Sequence, residues 1–409
     1  VNVVNDVTIA GAGAAASFLA MRALQLDLQP TILRVSLPAV VGIEIVPASA
    51  WRLLDALGLG DVLAGLGAGL GDGLTRRLPD GTIDVRDGRS LHVERLRLRE
   101  ALLREAERRG ARICEIDRLP PLDPEVYAVD ATGQRAAWSR PVVRQGREWA
   151  DIFFADETVI PPGTSTLALL GREWAYLASD QTSATVGVVG RSASVSGLLD
   201  RKILRALELV DGAPFRHVGR RAAFVQWATK PIVGRRLAIG DAAVHHSPIG
   251  GRGLAFALGS AFAAAAVLAT WRDDPPAASA ARSYYESYVA AEAHRHVTFL
   301  RNEQPSLATS QELPEQVRWV RSSMEGAYVV KGRVTPGEVV TLANGEPARW
   351  LGHLDLIRLR EIVMAERSTA SIIAHLSEQG FCIADSQSTL SWALERGLIV
   401  PAERTRAEP

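Results

Sequence analysis

Two stretches of this 409-residue chain have residue types and spacing suited to chemistry. The first is Gly11-Ala12-Gly13-Ala14-Ala15-Ala16, directly after the apolar run Val7-Thr-Ile-Ala10. With no side chain, Gly11 permits a tight turn. Gly13 then lets the backbone approach a pyrophosphate, whose charge would sit at the N-terminus of the following helix. A merely tight strand–helix turn is the other reading. The second stretch is Gly240-Asp241-Ala-Ala-Val-His245-His246-Ser-Pro248-Ile-Gly250-Gly251-Arg-Gly253. There a buried-type strand, Arg236–Ile239, ends in an acid, and a glycine-rich loop opens a long helix whose dipole favours an anion. His245 and His246 lie within it, and imidazole is the side chain best suited to move protons near neutral pH. Both are candidate catalytic residues; the alternative is that they cap the loop by bonding its backbone.

The elements that must position these residues are legible from periodicity. Val7–Ala10, the glycine turn, an apolar helix to about Leu26 and a strand Thr31–Val35 give strand, turn, helix, strand, the context that a dinucleotide fingerprint requires. A helix is expected from Pro47 to Leu57 and an amphipathic one from Leu96 to Arg109, with a strand at Val126–Asp130. Arg76–Val85 reads as a hairpin turning at Pro79-Asp80-Gly81, and Gly65–Gly73 as a mobile loop or a segment of close backbone approach. Between about Ala136 and Phe224 the pattern turns to strands: Asp151–Ala155, Thr166–Leu170, Trp174–Ala178 and Ala184–Val189. Trp138, Trp149, Trp174 and Trp227 lie in or beside this part, as core or as a substrate platform.

The expected fold class is α/β: a Rossmann-like dinucleotide domain (1–75, 90–135 and 225–303), an inserted β-sheet substrate domain (76–89 and 136–224), and a small helical, winged-helix-like C-terminal domain (304–409). The last is read from short amphipathic helices at Leu354–Glu366, Thr369–Gln379 and Ser388–Arg396, followed by Leu398-Ile-Val400.

Composition excludes several classes. Forty-six basic and 46 acidic residues cancel, so no net field draws the chain to nucleic acid or an anionic membrane. Asp355–Pro409 holds 6 Arg, no Lys and 8 acidic residues, a poor balance for phosphate contacts. Cys114 and Cys382 are the only cysteines, too few for a disulfide framework or thiolate zinc site, so a reducing cytoplasmic compartment and no metal are expected. Gly253–Trp271 is uncharged, but its Ala and Gly content fits a buried helix better than a membrane span.

The second stretch resembles the second FAD motif of class A flavoprotein monooxygenases similar to para-hydroxybenzoate hydroxylase. The resemblance extends to Arg95-Leu-Arg-Leu98, with Arg95 at the flavin-contacting arginine, and to Asp130-Ala-Thr-Gly133. Ile43-Glu44-Ile-Val-Pro47 is similar to a "GES-x-PP" block of the subgroup with tryptophan halogenases and the flavoproteins that mature protein-derived quinone cofactors; here Ile43 and Ile45 replace its Gly and Ser. Arg34 stands where these folds usually carry an acid for the adenosine ribose.

The resemblance implies FAD as cofactor, held by Gly11, Ala12, Gly13, Ala14, Ala15, Ala16, Arg34, Arg95, Asp241, Pro248, Gly250, Gly251 and Gly253. It implies NAD(P)H as a transient reductant, and ring hydroxylation through a flavin hydroperoxide that the protein shields from water. The expected partner is an aromatic substrate, a tryptophan within a polypeptide, as in maturation of a tryptophylquinone cofactor. The alternatives are a small aromatic metabolite, halogenation and a non-catalytic flavin-fold binding protein. Halogenases of the subgroup use a lysine and a Trp-x-Trp-x-Ile-Pro stretch. This chain has no lysine before Lys202, and Trp174-Ala-Tyr176-Leu-Ala-Ser179 departs from that stretch.

Overall fold

The chain is described by a computed structural model covering residues 6–36, 41–78, 80–121, 123, 126–139, 141–156, 160–171, 173–190, 199–210, 214–301, 313–343, 345, 347–351, 354–381 and 383–402. Pro79 of the expected hairpin turn, Cys382 and the expected boundary at 304 lie outside these residues.

Short runs of Val, Ile, Leu and Ala pair in parallel to build the first sheet. Its order is Ile232–Val233, Arg236–Ala238, Tyr127–Asp130, Asp6–Ala10, Gln29–Val35 and Arg112–Ile116, and only the terminal Ile232–Val233 strand runs antiparallel to its neighbour. Strands buried on both faces read as unbroken apolar runs rather than alternating ones. Asp6–Ala10 lies between Gln29–Val35 and Tyr127–Asp130, so strand order reverses at its carboxyl end, where open α/β sheets hold ligands. The Ala14–Leu24 helix starts there.

That helix packs against Gly253–Asp273, both Ala-rich and largely buried in one apolar core with Phe18, Leu19, Met21, Ile9 and Ile32. Gly253–Asp273 is long and apolar enough to cross a membrane, but 72% of its apolar window is buried inside the protein. Small side chains let its backbone approach its neighbours closely: a Cβ at Gly240 would stand 3.6 Å from that of Ala257 and 3.8 Å from its Cα.

The second sheet has eight strands in the order Arg216–Ala222, Trp149–Ala155, Ala184–Gly190, Glu173–Ser179, Ser165–Leu170, Gly69–Arg77, Ile83–Glu94 and Ile43–Pro47. It therefore recruits Ile43–Pro47 and extends its hairpin beyond 76–89. Gly65–Gly73 realises the close-approach reading, not the loop. Residues 69–73 are strand, and a Cβ at Gly71 would lie 2.8 Å from both the Gly163 carbonyl oxygen and His92 Nε2. One face of this sheet packs Phe153, Ala175, Leu177 and Val186 against Leu207, Ile203 and Ala206, at and just after the Arg201–Ala206 helix. The other carries Ile152, Val189, Trp174 and Tyr176 and turns toward the first domain. A three-stranded sheet (Val142–Gln145, Val225–Ala228, Val244–His245) bridges the two parts.

Beyond residue 312 the three expected helices are present at Leu356–Glu366, Thr369–Glu378 and Ile383–Glu395, and Ile399–Pro401 pairs with Val317–Trp319 around a separate apolar core. A hairpin absent from the sequence reading precedes them: Ser323–Val330 and Arg333–Thr341, joined at Lys331-Gly332 with φ of 49° and 77°. Positive φ at both turn residues matches the twist of paired strands. The hairpin gives Val340 to that separate core and its turn end to the first. Val334 is buried there with Ala327 and Val329 alongside, the Val334 amide donates to Thr270 Oγ1 at 2.8 Å, and Arg333 pairs with Asp273 at 2.8 Å.

Candidate active site

Gly11 is fixed by its own backbone. Its φ is +105°, its amide donates to Leu33 O at 2.9 Å, and an added Cβ would lie 2.3 Å from the Ala131 carbonyl oxygen. The 130–133 turn presses on it because the Asp130 carboxylate is fully used in holding that turn. It accepts from the Thr132 amide at 3.0 Å, the Thr132 hydroxyl at 2.6 Å and the Trp138 amide at 2.7 Å.

Gly13 differs. Its φ of −87° suits any residue, and a Cβ there would meet nothing within 4 Å. It is the N-cap of Ala14–Leu24, whose first turn has no side-chain cap and no acidic residue. Ala12, Ala14, Ala15 and Ala16 thus frame free helix-terminal amides, the standard cradle for a phosphate anion.

Arg34 does not face this cradle as a lone cation. It pairs with Glu100 at 3.3 Å and Glu115 at 3.4 Å, so the second strand ends in a mixed-charge cluster that supplies carboxylates from neighbouring elements.

On the other side of the helix start, Gly240 (φ +56°) donates its amide to Ser260 Oγ at 2.9 Å and delivers Asp241. Arg95 begins the Arg95–Arg108 helix and donates to Glu44 Oε2 at 2.6 Å. Arg95 and Asp241 are densely surrounded by protein, yet each side chain keeps 41% of its surface accessible. Groups packed about by protein yet open to solvent line a concave part of the surface, a cleft between the two domains. The Glu44 carboxylate raises the pKa of Arg95 despite its burial. Burial alone would raise that of Asp241, but the neighbouring His245, His246 and Arg95 outweigh it and hold the carboxyl below the usual range.

The β-sheet domain contributes Tyr176 and Arg221, which sense the charges of Arg95 and Glu44. The Tyr176 ring lies over its cross-strand partner Gly187, where a Cβ would be 2.1 Å away, and beside Trp174 at 5.9 Å. Burial raises the Tyr176 phenol above its ordinary value. Arg221 donates to Val41 O at 2.8 Å; burial and then the Arg95 charge lower its pKa to about 10, which leaves it cationic at neutral pH.

The two histidines diverge. His245 pairs in register with Gln226, and its Nδ1 is 3.3 Å from Asp241 Oδ2, within reach of the charge but not aligned as a hydrogen bond. Burial opposes protonation, yet the Asp241 carboxylate prevails and raises the His245 pKa. His246 turns away into the protein, with its side chain 2% exposed and Nε2 2.9 Å from Glu292 Oε1. Pro248–Gly250 forms a 3-10 turn capped by Gly251 at φ +57°, and Gly253 opens the long helix.

The cradle, Arg95 and Asp241 fit a dinucleotide such as FAD: free amides for the pyrophosphate, an acid for hydroxyls, and glycines where backbone must come close. Sequence reasoning missed Tyr176 and Arg221 as site residues because they come from ordinary strand positions. It also missed Glu292 and His296, although an acid and an imidazole four apart in the run Ala290-Ala-Glu292-Ala-His-Arg-His296 are a visible signal. A separate cavity of about 830 Å³ is lined by Trp227, Lys230, Ile232, Arg282, Val289 and His294 and by none of the cleft residues.

The architecture has clear counterparts among solved structures. The peptidyl tryptophan dihydroxylase QhpG, essential for tryptophylquinone cofactor biogenesis, superposes with a TM-score of 0.62 at 19% identity, over 96% of this chain and 99% of that one. This chain has the fold of the flavin-dependent monooxygenases and halogenases. The flavin-dependent halogenase CmlS gives a TM-score of 0.70 at 16% identity, over 96% of this chain and 95% of its own. The myxobacterial chondrochloren halogenase CndH gives 0.61 at 20% identity, over 72% and 81%. No protein-family model matches the sequence, and no curated protein matches it. The Rossmann-like part, the β-sheet part and the helical C-terminal region all fall within the two longer superpositions.

Proposed function

We propose that this protein is an FAD-dependent monooxygenase that hydroxylates an aromatic ring, with a tryptophan side chain inside a polypeptide as substrate and NAD(P)H as transient reductant, acting in the cytoplasm. The observation that carries the reading is convergence. An uncapped helix start, Arg95 and Asp241 from the first domain meet Tyr176 and Arg221 from the sheet domain at one cleft. The Gly11–Ala16 turn would hold the pyrophosphate, while Arg95, Asp241 and the 248–253 loop would hold the rest of the cofactor. Bound FAD would supply the activation of dioxygen.

The chain's own groups do the remaining work. Tyr176 and Trp174 offer an aromatic surface for a flat substrate. Arg221 offers spare guanidinium donors, and His245 can hold or release a proton beside Asp241. Bound cofactor and substrate would displace water from this cleft, which would strengthen these interactions.

QhpG acts on a peptidyl tryptophan, and its likeness runs through the C-terminal region as well as the flavin fold. That supports a polypeptide substrate. Halogenation is disfavoured by lysine placement: Lys202 is on the Arg201–Ala206 helix, Lys230 lines the separate cavity and Lys331 is in the hairpin turn.

The test is to incubate the full chain with FAD, NADH or NADPH, labelled dioxygen and tryptophan-containing polypeptides, with bromide present. Mass spectrometry should show labelled oxygen on tryptophan and no halogen. Equally efficient turnover of free tryptophan or a simple phenol would overturn the polypeptide substrate; a halogenated product would overturn the reaction class.

A further inference from the structure

A buried polar network lies behind the second glycine loop, and neither the binding nor the proton-moving residues above account for it. Glu292, on the Ala278–Arg301 helix, has its side chain 7% exposed. One of its oxygens faces His246 Nε2 at 2.9 Å and accepts from Arg252 Nε at 3.2 Å; the other accepts from Arg252 Nη2 at 3.4 Å and from Arg295. One turn on, His296 Nε2 accepts the Ser247 backbone N–H at 2.9 Å. A single helix thus grips positions 246, 247 and 252, both ends of the loop that contains Pro248, Gly250 and Gly251.

The physical need for such a grip follows from the loop's composition. Glycines let backbone approach a ligand, but they also enlarge the set of conformations the loop must give up. A segment built for close approach cannot fill the space behind itself with its own side chains, so its shape must be imposed from elsewhere. A buried carboxylate is costly unless well compensated, and removing one partner leaves the others unpaired. Here one imidazole and two guanidinium groups compensate Glu292. Desolvation would raise its pKa, but His246, Arg252 and Arg295 hold it down to about 2. Burial and the nearby His246 push His296 down to about 3, consistent with a neutral ring accepting the Ser247 amide.

We infer that Glu292 is a positioning residue: acting through His246 and Arg252, it fixes the 246–252 loop in the shape that receives the flavin ring. The inference rests on the proposed flavin function for its ligand, but not for the clamp.

The full chain and its Glu292→Gln and Glu292→Asp variants test this by hydrogen exchange of the 246–252 segment, FAD titration, and the visible spectrum of bound flavin. Glu292→Gln should speed loop exchange about tenfold or more, weaken FAD binding about tenfold and shift the flavin absorption bands; Glu292→Asp should recover part of each. Should Glu292→Gln not fold, Arg252→Gln removes one grip from the more exposed partner and should act in the same direction with a smaller effect. Wild-type exchange and spectrum in Glu292→Gln would overturn the inference, as would faster exchange with an unchanged bound-flavin spectrum. If the wild type takes up no FAD, the proposed function fails, and the exchange comparison still decides whether Glu292 holds the loop.

Discussion

The two glycine loops that meet at the cleft are held in opposite ways. The Gly11–Ala16 turn is fixed by backbone against backbone, with Gly11 wedged under the Ala131 carbonyl and no polar side chain on the helix start. The 246–252 loop is fixed by polar and charged side chains, through Glu292 with His246, Arg252 and Arg295. The first arrangement is rigid but intolerant of a single added carbon. The second tolerates shape changes but depends on protonation. Under the proposed function, steric fixation would suit a turn that holds a constant pyrophosphate, and electrostatic fixation a loop beside a group that changes charge.

The largest effect should come from breaking the steric side. Gly11→Ala forces a Cβ to 2.3 Å from a carbonyl oxygen at φ +105°, and should cost about 3 kcal/mol or more of stability, read as a lowered urea midpoint at unchanged m. Gly13→Ala has room and an ordinary φ, so stability should move by no more than about 0.5 kcal/mol while flavin affinity falls. Equal stability losses for the two would erase the distinction.

Acid should probe the electrostatic side. His296 is depressed to about 3 from an ordinary 6.5, so the stability it contributes is complete above 6.5 and is lost as pH falls from there toward 3. Glu292, depressed to about 2 from 4.5, contributes stability that is complete above 4.5 and lost toward 2. Stability should therefore decline below pH 6.5 with a slope approaching about 1.4 kcal/mol per pH unit, and more steeply below 4.5. His296→Gln should flatten the stretch between 6.5 and 4.5; the same slope in both proteins would remove His296 from the account.

A smaller, local effect should appear at His245. Its raised pKa depends on Asp241 overcoming burial. In Asp241→Asn the main opposition disappears, and burial should take the ring below its ordinary 6.5, seen as an imidazole titration midpoint at lower pH by NMR. An unshifted midpoint would show that another group sets it. Smallest of all should be Arg333→Ala: its guanidinium is 57% exposed against Asp273, so the loss should stay within about 1 kcal/mol. A larger loss would mean that the hairpin depends on this pair and not on buried Val334.

What the sequence disclosed follows the same division. Steric fixation writes itself in glycines, so the Gly11 turn, the 248–253 loop and the helix they open are legible from residue type alone. Charge fixation is spread over distant elements: Glu292 meets His246 across 46 positions, and Arg95 meets Glu44 across 51. No local pattern encodes either pairing. The same limit explains Gly69–Arg77, where glycines report strands crowding together while their local signature is that of a loop. The Lys331-Gly332 hairpin was missed for a plainer reason: its turn uses Lys in place of the usual Asn or Asp.

The Gly253–Asp273 helix begins immediately after Arg252 and ends where Thr270 and Asp273 receive the hairpin. At 1.5 Å per residue it spans about 30 Å, and most of its length is buried. It is a ruler as well as a core element. The C-terminal hairpin is moored at one end of it and the 246–252 loop lies at the other, so, if the proposed function holds, a polypeptide gripped by the C-terminal region would meet the cleft at a set number of residues from its point of attachment. Under the proposed function, the residue presented to the cleft would then be chosen by its distance along the polypeptide, with its immediate neighbours counting for less.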